Sequence, residues 1–252
     1  MRFSLCLEPV FEDMDFYDRI PLAKELGLDG FEFWEPEKYD GKKIGALSSQ
    51  CALPVVCCCV FDTRVTSLDS EWGLLKPNLL KTIEFGKEAG CRSFIGLAGN
   101  RRCRADDQKT IILENVKRAA EVFERENAVL LIEALNSIVD HPGYYLDSSY
   151  LGFEIIKAAD SPAIRLLYDV YHMQVMEGNL AGSLTKNARL IGHIHSAGVP
   201  GRHELHNGEI NYLFLLGQLK TANYDGYVGF EYWPTYDHRQ SVKDVLAYVK
   251  SK

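Results

Sequence analysis

The chain alternates short apolar runs with longer amphipathic segments along nearly its whole length, and this alternation most constrains its fold. Each short run is rich in Val, Ile, Leu, Phe or Tyr, a composition that predicts a strand. There are eight such runs: Arg2–Glu8, Gly30–Trp34, Pro54–Phe61, Ser93–Ala98, Val129–Ala134, Ala163–Val170, Leu190–Ser196 and Gly226–Tyr232.

The segments between the predicted strands carry apolar residues at three- and four-residue spacing, which predicts helices. Gly27 and Gly90 lie where a helix is expected to end before the next strand begins. The predicted helices are Phe16–Leu26, Lys43–Cys51, Trp72–Ala89, Asp107–Glu126, Ser148–Ala159, a weaker one at Asn179–Lys186, Tyr212–Ala222 and Val242–Lys250.

Eight strand-then-helix units predict one (β/α)8 TIM barrel that spans residues 1–252, the usual length of this fold. The length alone also allows two small domains, but the chain has no linker rich in Pro, Gly or Ser. A doubly wound open sheet is the main alternative. The glycine motifs of its common nucleotide-binding versions, G-x-G-x-x-G after the first strand and G-x-x-x-x-G-K-[ST], do not occur.

Charge and cysteine content indicate the partner and the compartment. With 28 Lys and Arg against 35 Asp and Glu, the net charge is -7, which argues against nucleic acid and favours a small polar substrate. Seven cysteines, three of them consecutive at 57–59, do not form a disulfide framework and predict reduced core thiols. The longest apolar stretch, 52–61, is too short to span a membrane. We therefore expect a soluble, cytoplasmic protein without a signal peptide.

Four consecutive predicted strands end with a polar residue: Glu133, Asp169, His195 and Glu231. The active site of a TIM barrel lies at this end of the strands. A single acid at a strand end more often forms a salt bridge or caps a helix, but four in register favour a metal site. Three oxygen donors and one imidazole suit one divalent ion, Mg²⁺ or Mn²⁺ first and Co²⁺ or Zn²⁺ as alternatives. No cysteine is expected beside these four residues, so a catalytic site is favoured over a structural zinc site.

Four further residues are candidates for binding the substrate. Arg202, in the loop after the seventh strand, is suited to clamp a carboxylate through two hydrogen bonds, although such a loop can also satisfy its own charges. His172, three residues after Asp169, is a candidate hydrogen-bond partner of a substrate hydroxyl. Trp34 and Phe61, at two other strand ends, are expected to form an apolar pocket wall or to plug the barrel.

His193 lies two residues before His195 and therefore on the same face of its strand. We expect it to be a hydrogen-bonded residue in a lower layer of the barrel, rather than a ligand.

The motifs around these candidates resemble the hydroxypyruvate isomerase family within the xylose isomerase-like superfamily of TIM barrels. The resemblance covers essentially the whole chain and is most specific in the loop after the seventh strand. It is carried by EALN at 133–136, YDVYHMQ at 168–174, PGRHE at 200–204, GEINY at 208–212 and GYVGFEY at 226–232.

The resemblance implies a role for each candidate. Glu133, Asp169, His195 and Glu231 match the four metal ligands of the family, with Glu133 and Glu231 also serving as its acid/base pair. His172 and Arg202 match its substrate-orienting residues. Family members are often dimers or tetramers, so the resemblance also implies a homo-oligomer.

One departure leaves the substrate open. Hydroxypyruvate isomerases usually carry Gln where this chain has His195, whereas the related ketose 3-epimerases of the tagatose and psicose type carry His. The first expectation is a metal-dependent isomerase that interconverts a hydroxy-keto acid, of the hydroxypyruvate or 2-oxo-tetronate type, and its aldehyde isomer through an enediolate. A ketose 3-epimerase, a dehydratase of the superfamily and a non-catalytic sugar-binding protein are alternatives. An endonuclease IV-like nuclease needs three zinc ions and is disfavoured by the acidic charge.

Overall fold

The computed structural model of the protein describes residues 1–63, 65–102 and 105–251, with only the backbone described at 105 and 106. Eight parallel strands pair in chain order, and the last pairs with the first, so the sheet is a closed barrel. This arrangement confirms the predicted (β/α)8 fold. The strands are β1 (Arg2–Cys6), β2 (Gly30–Phe33), β3 (Val55–Cys59), β4 (Ser93–Gly96), β5 (Val129–Glu133), β6 (Ile164–Asp169), β7 (Ile191–Ser196) and β8 (Tyr227–Phe230).

The described residues form ten α-helices. They are α1 (Leu7–Val10), α2 (Phe16–Glu25), α3 (Gly41–Cys51), α4 (Trp72–Ala89), α5 (Ala105–Arg125), α6 (Ser149–Ala159), α7 (Val170–Met176), α8 (Leu180–Asn187), α9 (Tyr212–Thr221) and α10 (His238–Val249). In this part of the chain, none of them combines the length and apolar character needed to cross a bilayer.

The strands separate two apolar cores, because successive side chains of a strand point to opposite faces. Residues that face outward pack against the helices and form the larger core. Residues that face inward form a small second core inside the barrel, made of Cys57, Cys59, Ile95, Leu131 and Leu167. The six described cysteines are free thiols, while Cys103 lies outside the described residues.

Two short helices begin where the sequence predicted a strand or a loop. The predicted first strand extends to Glu8, but β1 ends at Cys6 because α1 follows, and the Arg19 guanidinium donates to the Leu7 carbonyl at 3.0 Å. Likewise, β6 ends at Asp169, whose carboxylate accepts the backbone N–H groups of Tyr171 and His172 and so caps α7.

The glycine at the end of α4 behaves as predicted. Gly90 has a φ of 77°, a left-handed conformation that favours glycine, and its N–H donates to the carbonyl of Gly86. The chain can therefore leave the helix sharply and enter β4, which returns it to the barrel wall.

Candidate active site

The four polar residues predicted at strand ends lie together at the carboxyl end of the barrel. The side chains of Glu133, Asp169, His195 and Glu231 are all buried, and each offers a ligand atom within 4.8 Å of the others. Asp169 and His195 are direct neighbours in the β6–β7 register, and Glu231 follows the last residue of β8. The alternation of each strand turns all four side chains into the barrel.

His195 lies between two of these carboxylates, and one of its ring nitrogens has no hydrogen bond. Its Nδ1 lies 3.4 Å from Glu133 Oε1 and 3.2 Å from Glu231 Oε2. A buried nitrogen without a partner, facing carboxylate oxygens, fits a set of ligands that converge on an ion. The mixture of carboxylates and one imidazole fits a divalent ion with open coordination positions.

A buried arginine balances part of the negative charge. Arg202 Nη2 contacts Glu231 Oε2 and lies 3.3 Å from Asp169 Oδ2. Its guanidinium carbon lies 5.2 Å from the ring centre of Tyr171 and 5.4 Å from that of Trp233, close enough for cation–π attraction. The guanidinium thus lies between aromatic rings and acidic groups rather than in solvent.

The charges within the site shift three pKa values. Burial raises the pKa of Asp169 to about 7 despite the nearby charge of Arg202. Burial also opposes ionisation of Glu231, but His195 and Arg202 outweigh it and lower the pKa of Glu231 to about 2. Burial disfavours the charged form of His195, yet the carboxylates of Glu231 and Glu32 raise its pKa well above the usual range. Three buried acids close together make the site attractive to a cation.

The hydrogen bonds around His172 fix which of its ring nitrogens carries a proton. Asn136 Oδ1 accepts the N–H groups of Val139 and Asp140, both at 2.9 Å, so its Nδ2 donates to His172 Nδ1 at 2.7 Å. The proton of the neutral ring therefore lies on Nε2, which has no hydrogen-bond partner and is 3.5 Å from Asp169 Oδ2. Burial lowers the pKa of His172 well below its ordinary value, so the ring stays neutral.

A cavity of about 740 Å³ opens above these residues. Two tryptophans line it, Trp34 after β2 and Trp233 after β8, with ring centres 5.8 Å apart and planes inclined at 46°. Trp34 Nε1 donates to Glu231 Oε1 at 2.5 Å. Five of the predicted site residues line the cavity, namely Trp34, Glu133, His172, Arg202 and Glu231.

Two sequence-based expectations differ from the observed positions. Phe61, expected in the pocket wall, packs instead against Phe85 with ring centres 5.5 Å apart, in a separate pocket next to α4. The backbone N–H of Phe61 donates to Thr82 Oγ1 at 2.9 Å, which turns the chain outward after β3. Cys59, in contrast, lines the cavity, because it faces inward like Cys57, although no cysteine was expected near the four polar residues.

Three further residues in or below the cavity were not predicted from the sequence. Trp233 follows Glu231 by two residues, and its position after the last strand is a signal that was present in the sequence. The ring centre of His141 lies 5.3 Å from that of His172. Glu32, a lone acid between two phenylalanines of β2, is fully buried and bonds to His193, which lies in the lower layer as expected.

Comparison with known proteins identifies the family that the sequence motifs resemble. A family model described as xylose isomerase-like TIM barrel matches residues 20–252. A 2-oxo-tetronate isomerase from Pectobacterium atrosepticum is 30% identical over 246 residues, with 92% of each chain covered. Hydroxypyruvate isomerase of Escherichia coli is 28% identical over 243 residues, covering 93% of this chain and 94% of its own.

A solved structure shows the same fold over nearly the full length. A protein from Brucella melitensis, described as AP endonuclease, family 2, superposes with a TM-score of 0.90 at 26% identity and covers 98% of each chain. The chain therefore belongs to the xylose isomerase-like TIM-barrel family and, within it, to the hydroxypyruvate isomerase family that its motifs resemble.

Proposed function

We propose that this protein is a divalent-metal-dependent isomerase that interconverts a small hydroxy-keto acid and its aldehyde isomer, of the hydroxypyruvate or 2-oxo-tetronate type. The observation that carries the proposal is the position of Glu133 and Glu231, which face the same buried ring nitrogen of His195 at the floor of the cavity. Two relatives that align over more than nine-tenths of this chain are isomerases of such acids.

The proposed ligands of one divalent ion are Glu133, Asp169, His195 and Glu231. Mg²⁺ or Mn²⁺ suits three carboxylates and one imidazole best, with Co²⁺ and Zn²⁺ as alternatives. When bound, the ion supplies an electrophile that polarises a substrate carbonyl and stabilises the negative charge of the enediolate.

Glu133 and Glu231 form the proposed acid/base pair. One of them takes the proton from the carbon next to the carbonyl and returns it to the neighbouring carbon. Against the effect of burial, His195 and Arg202 lower the pKa of Glu231 and keep it ionised, which is the form that can accept a proton. The N–H of Trp34 holds one of its two oxygens in place.

His172 and Arg202 are the proposed substrate-orienting residues. The unpaired Nε2–H of His172 can donate to a substrate oxygen. Among the described residues that line the cavity, Arg202 is the only arginine or lysine, and its buried Nε has no hydrogen-bond partner. A guanidinium in this position suits a substrate carboxylate. Trp34 and Trp233 exclude water from the reacting carbons.

A ketose 3-epimerase of the tagatose or psicose type is the second candidate. It is favoured by His195 in place of Gln, and by Glu35 and Glu37, which line the cavity and disfavour an anionic substrate. In that reaction, one glutamate takes a proton from a carbon and the other delivers a proton to its opposite face. The two candidates thus use the same residues on different substrates.

Proton exchange in D₂O, followed by NMR, tests both candidates. The protein is incubated with hydroxypyruvate, a 2-oxo-tetronate or a free ketose, with and without Mg²⁺. We expect ion-dependent deuterium at one carbon of a hydroxy-keto acid, together with its aldehyde isomer. Deuterium at C3 of a ketose with inverted configuration would instead identify the epimerase.

Two outcomes contradict both candidates. If none of these compounds exchanges a proton under any condition, both candidates are wrong and a non-catalytic sugar-binding protein is favoured. Cleavage of DNA at an abasic site would contradict the proposed restriction to small molecules, which the net charge of -7 supports.

A further inference from the structure

A second buried cluster lies inside the barrel, directly below the four proposed ligands. It consists of Glu32 on β2, Cys57 on β3 and His193 on β7, and it shares His195 with the site above. Glu32 Oε2 lies 2.8 Å from His193 Nε2, 3.0 Å from His195 Nε2 and 2.9 Å from Cys57 Sγ. One carboxylate oxygen is thus the common acceptor of three groups.

We propose that Glu32 is a positioning residue that acts through His195, holding the ring so that Nδ1, the free nitrogen, faces Glu133 and Glu231. The inference rests on the metal site of the proposed function. Glu32 lies on β2, across the barrel from the proposed ligands on β5, β6 and β7. Through His195 it determines how tightly the proposed site binds an ion.

The hydrogen-bond arrangement of the His195 ring carries the argument. A histidine binds an ion through its neutral ring, which has a proton on one nitrogen and a lone pair on the other. Because Glu32 accepts at Nε2, the single proton of the neutral, ion-binding ring lies there, and the lone pair of Nδ1 faces the two carboxylates above. Carboxylates that accept from a ligand histidine commonly fix its tautomer and its orientation in this way. Without Glu32, the Nδ1 nitrogen can carry the proton and donate it to a carboxylate.

The surroundings of Glu32 hold its carboxylate in place. Its Oε2 accepts from Cys57 on β3 and from His193 and His195 on β7, so two strands hold it. A glycine on β8 leaves the space it needs, because a Cβ atom at Gly229 would lie 2.0 Å from Glu32 Oε1. The carboxylate is therefore a fixed acceptor rather than a mobile side chain.

The same four residues do not have the arrangement of a second metal site. The nitrogens of His193 and His195 and the sulfur of Cys57 converge on an oxygen of Glu32, at hydrogen-bond distance. Metal ligands instead surround a separate point, about 2.0–2.3 Å from each donor atom. Hydrogen bonds to Glu32 account for the geometry.

Calorimetric titration of the metal-free full chain with Mn²⁺ tests the proposal. Glu32→Gln should weaken Mn²⁺ binding about 10- to 100-fold. In a His195→Asn background, the same change should have less than about a twofold effect, because Glu32 then has no ring to orient. Asp69→Asn is the matched control. It alters another buried carboxylate, which accepts from Ser67 and Gln108 and belongs to neither cluster of candidate ligands, and it should leave Mn²⁺ affinity unchanged.

The outcomes separate this inference from the proposed function. Equal Mn²⁺ affinity in the unmodified chain and Glu32→Gln would overturn the inference alone. Failure of the unmodified chain to bind any divalent ion would overturn the metal site and the inference with it. Loss of a second bound ion in Glu32→Gln would make Glu32 a ligand and also overturn the inference.

A measurement on the unmodified chain keeps the proposal testable if Glu32→Gln does not fold. Long-range ¹H–¹⁵N spectra of the Mg²⁺-loaded protein report which ring nitrogen of His195 carries the proton. We expect a protonated Nε2, and a protonated Nδ1 would overturn the proposal.

Discussion

Asn136 Nδ2 donates to His172 Nδ1 over 2.7 Å, so a residue in the loop after β5 sets the tautomer of a histidine on α7. Asn136→Asp keeps the acceptor of the Val139 and Asp140 N–H groups but removes the donor to His172. The ring proton then moves to Nδ1, and Nε2 no longer donates to the substrate. We expect kcat/KM to fall about 10-fold or more, near the value of one hydrogen bond. Unchanged kinetics would show that the Nε2 proton is not used.

The acid/base pair is tested by removing one ionisable carboxylate at a time. Glu133→Gln and Glu231→Gln should each lower kcat by at least about 100-fold, because an amide cannot transfer the proton. Each should also weaken retention of the divalent ion. Glu154→Gln is the control, since Glu154 is exposed on α6 and pairs with Lys109 far from the cavity. An active, metal-loaded double variant of Glu133 and Glu231 would exclude the mechanism.

Arg202→Ala tests the substrate charge. We expect KM for hydroxypyruvate to rise about 10- to 100-fold, the value of a charge-assisted hydrogen bond, with little change for a neutral ketose. Arg202→Lys should recover part of the loss because it keeps the charge without the two parallel donors. Initial rates over a range of concentrations of each substrate provide the measurement. An equal rise for both substrates would mean that Arg202 acts through Asp169 and Glu231 and not on a substrate carboxylate.

Glu8 gives the protein a defined pH dependence of stability. Its carboxylate accepts from the backbone N–H of Glu35 and the hydroxyl of Tyr39, and burial raises its pKa. The native state therefore binds this proton more tightly than the unfolded state. The free energy of unfolding should therefore fall as pH rises above about 4, the pKa of Glu8 in the unfolded chain. The fall should stop once pH exceeds the raised pKa of Glu8 in the native state. Urea unfolding of the unmodified chain and Glu8→Gln at several pH values measures the difference, and parallel profiles would contradict the assignment.

Gly229→Ala tests how tightly the lower layer is packed. The added Cβ would lie 2.0 Å from Glu32 Oε1 and 2.9 Å from His193 Nε2, so these buried groups must shift. We expect a loss of about 1–3 kcal/mol, which corresponds to a Tm lower by about 2–4 °C per kcal/mol. Gly217→Ala, on an exposed stretch of α9 with nothing within 4 Å, should instead stabilise the chain slightly. A Tm unchanged by Gly229→Ala would show that the layer is loosely packed.

The positions of the four proposed ligands could be predicted because each one interrupts an apolar strand near its end. Glu133, Asp169 and His195 then need only the parallel closure of the barrel to meet, since that fold places all carboxyl ends at one rim. The identity of the residue and its place in the strand were both visible in the sequence.

Other contacts depend on side chains that meet across the barrel and leave no local signal. Glu32 on β2 bonds to His195 on β7, a relationship that requires the register of the whole sheet. Phe61 turns outward because Thr82, 21 residues later, accepts its backbone N–H. The helix after β6 depends on the Asp169 carboxylate, which accepts two backbone N–H groups. The apolar pattern of the strand gives no sign of this capping role.

The contact of Arg202 with Glu231 and Asp169 has a consequence for folding. The guanidinium is an internal counter-charge for two of the three carboxylates, so we expect folding not to depend on the proposed ion. We therefore expect the proposed ion to bind to a chain that is already folded.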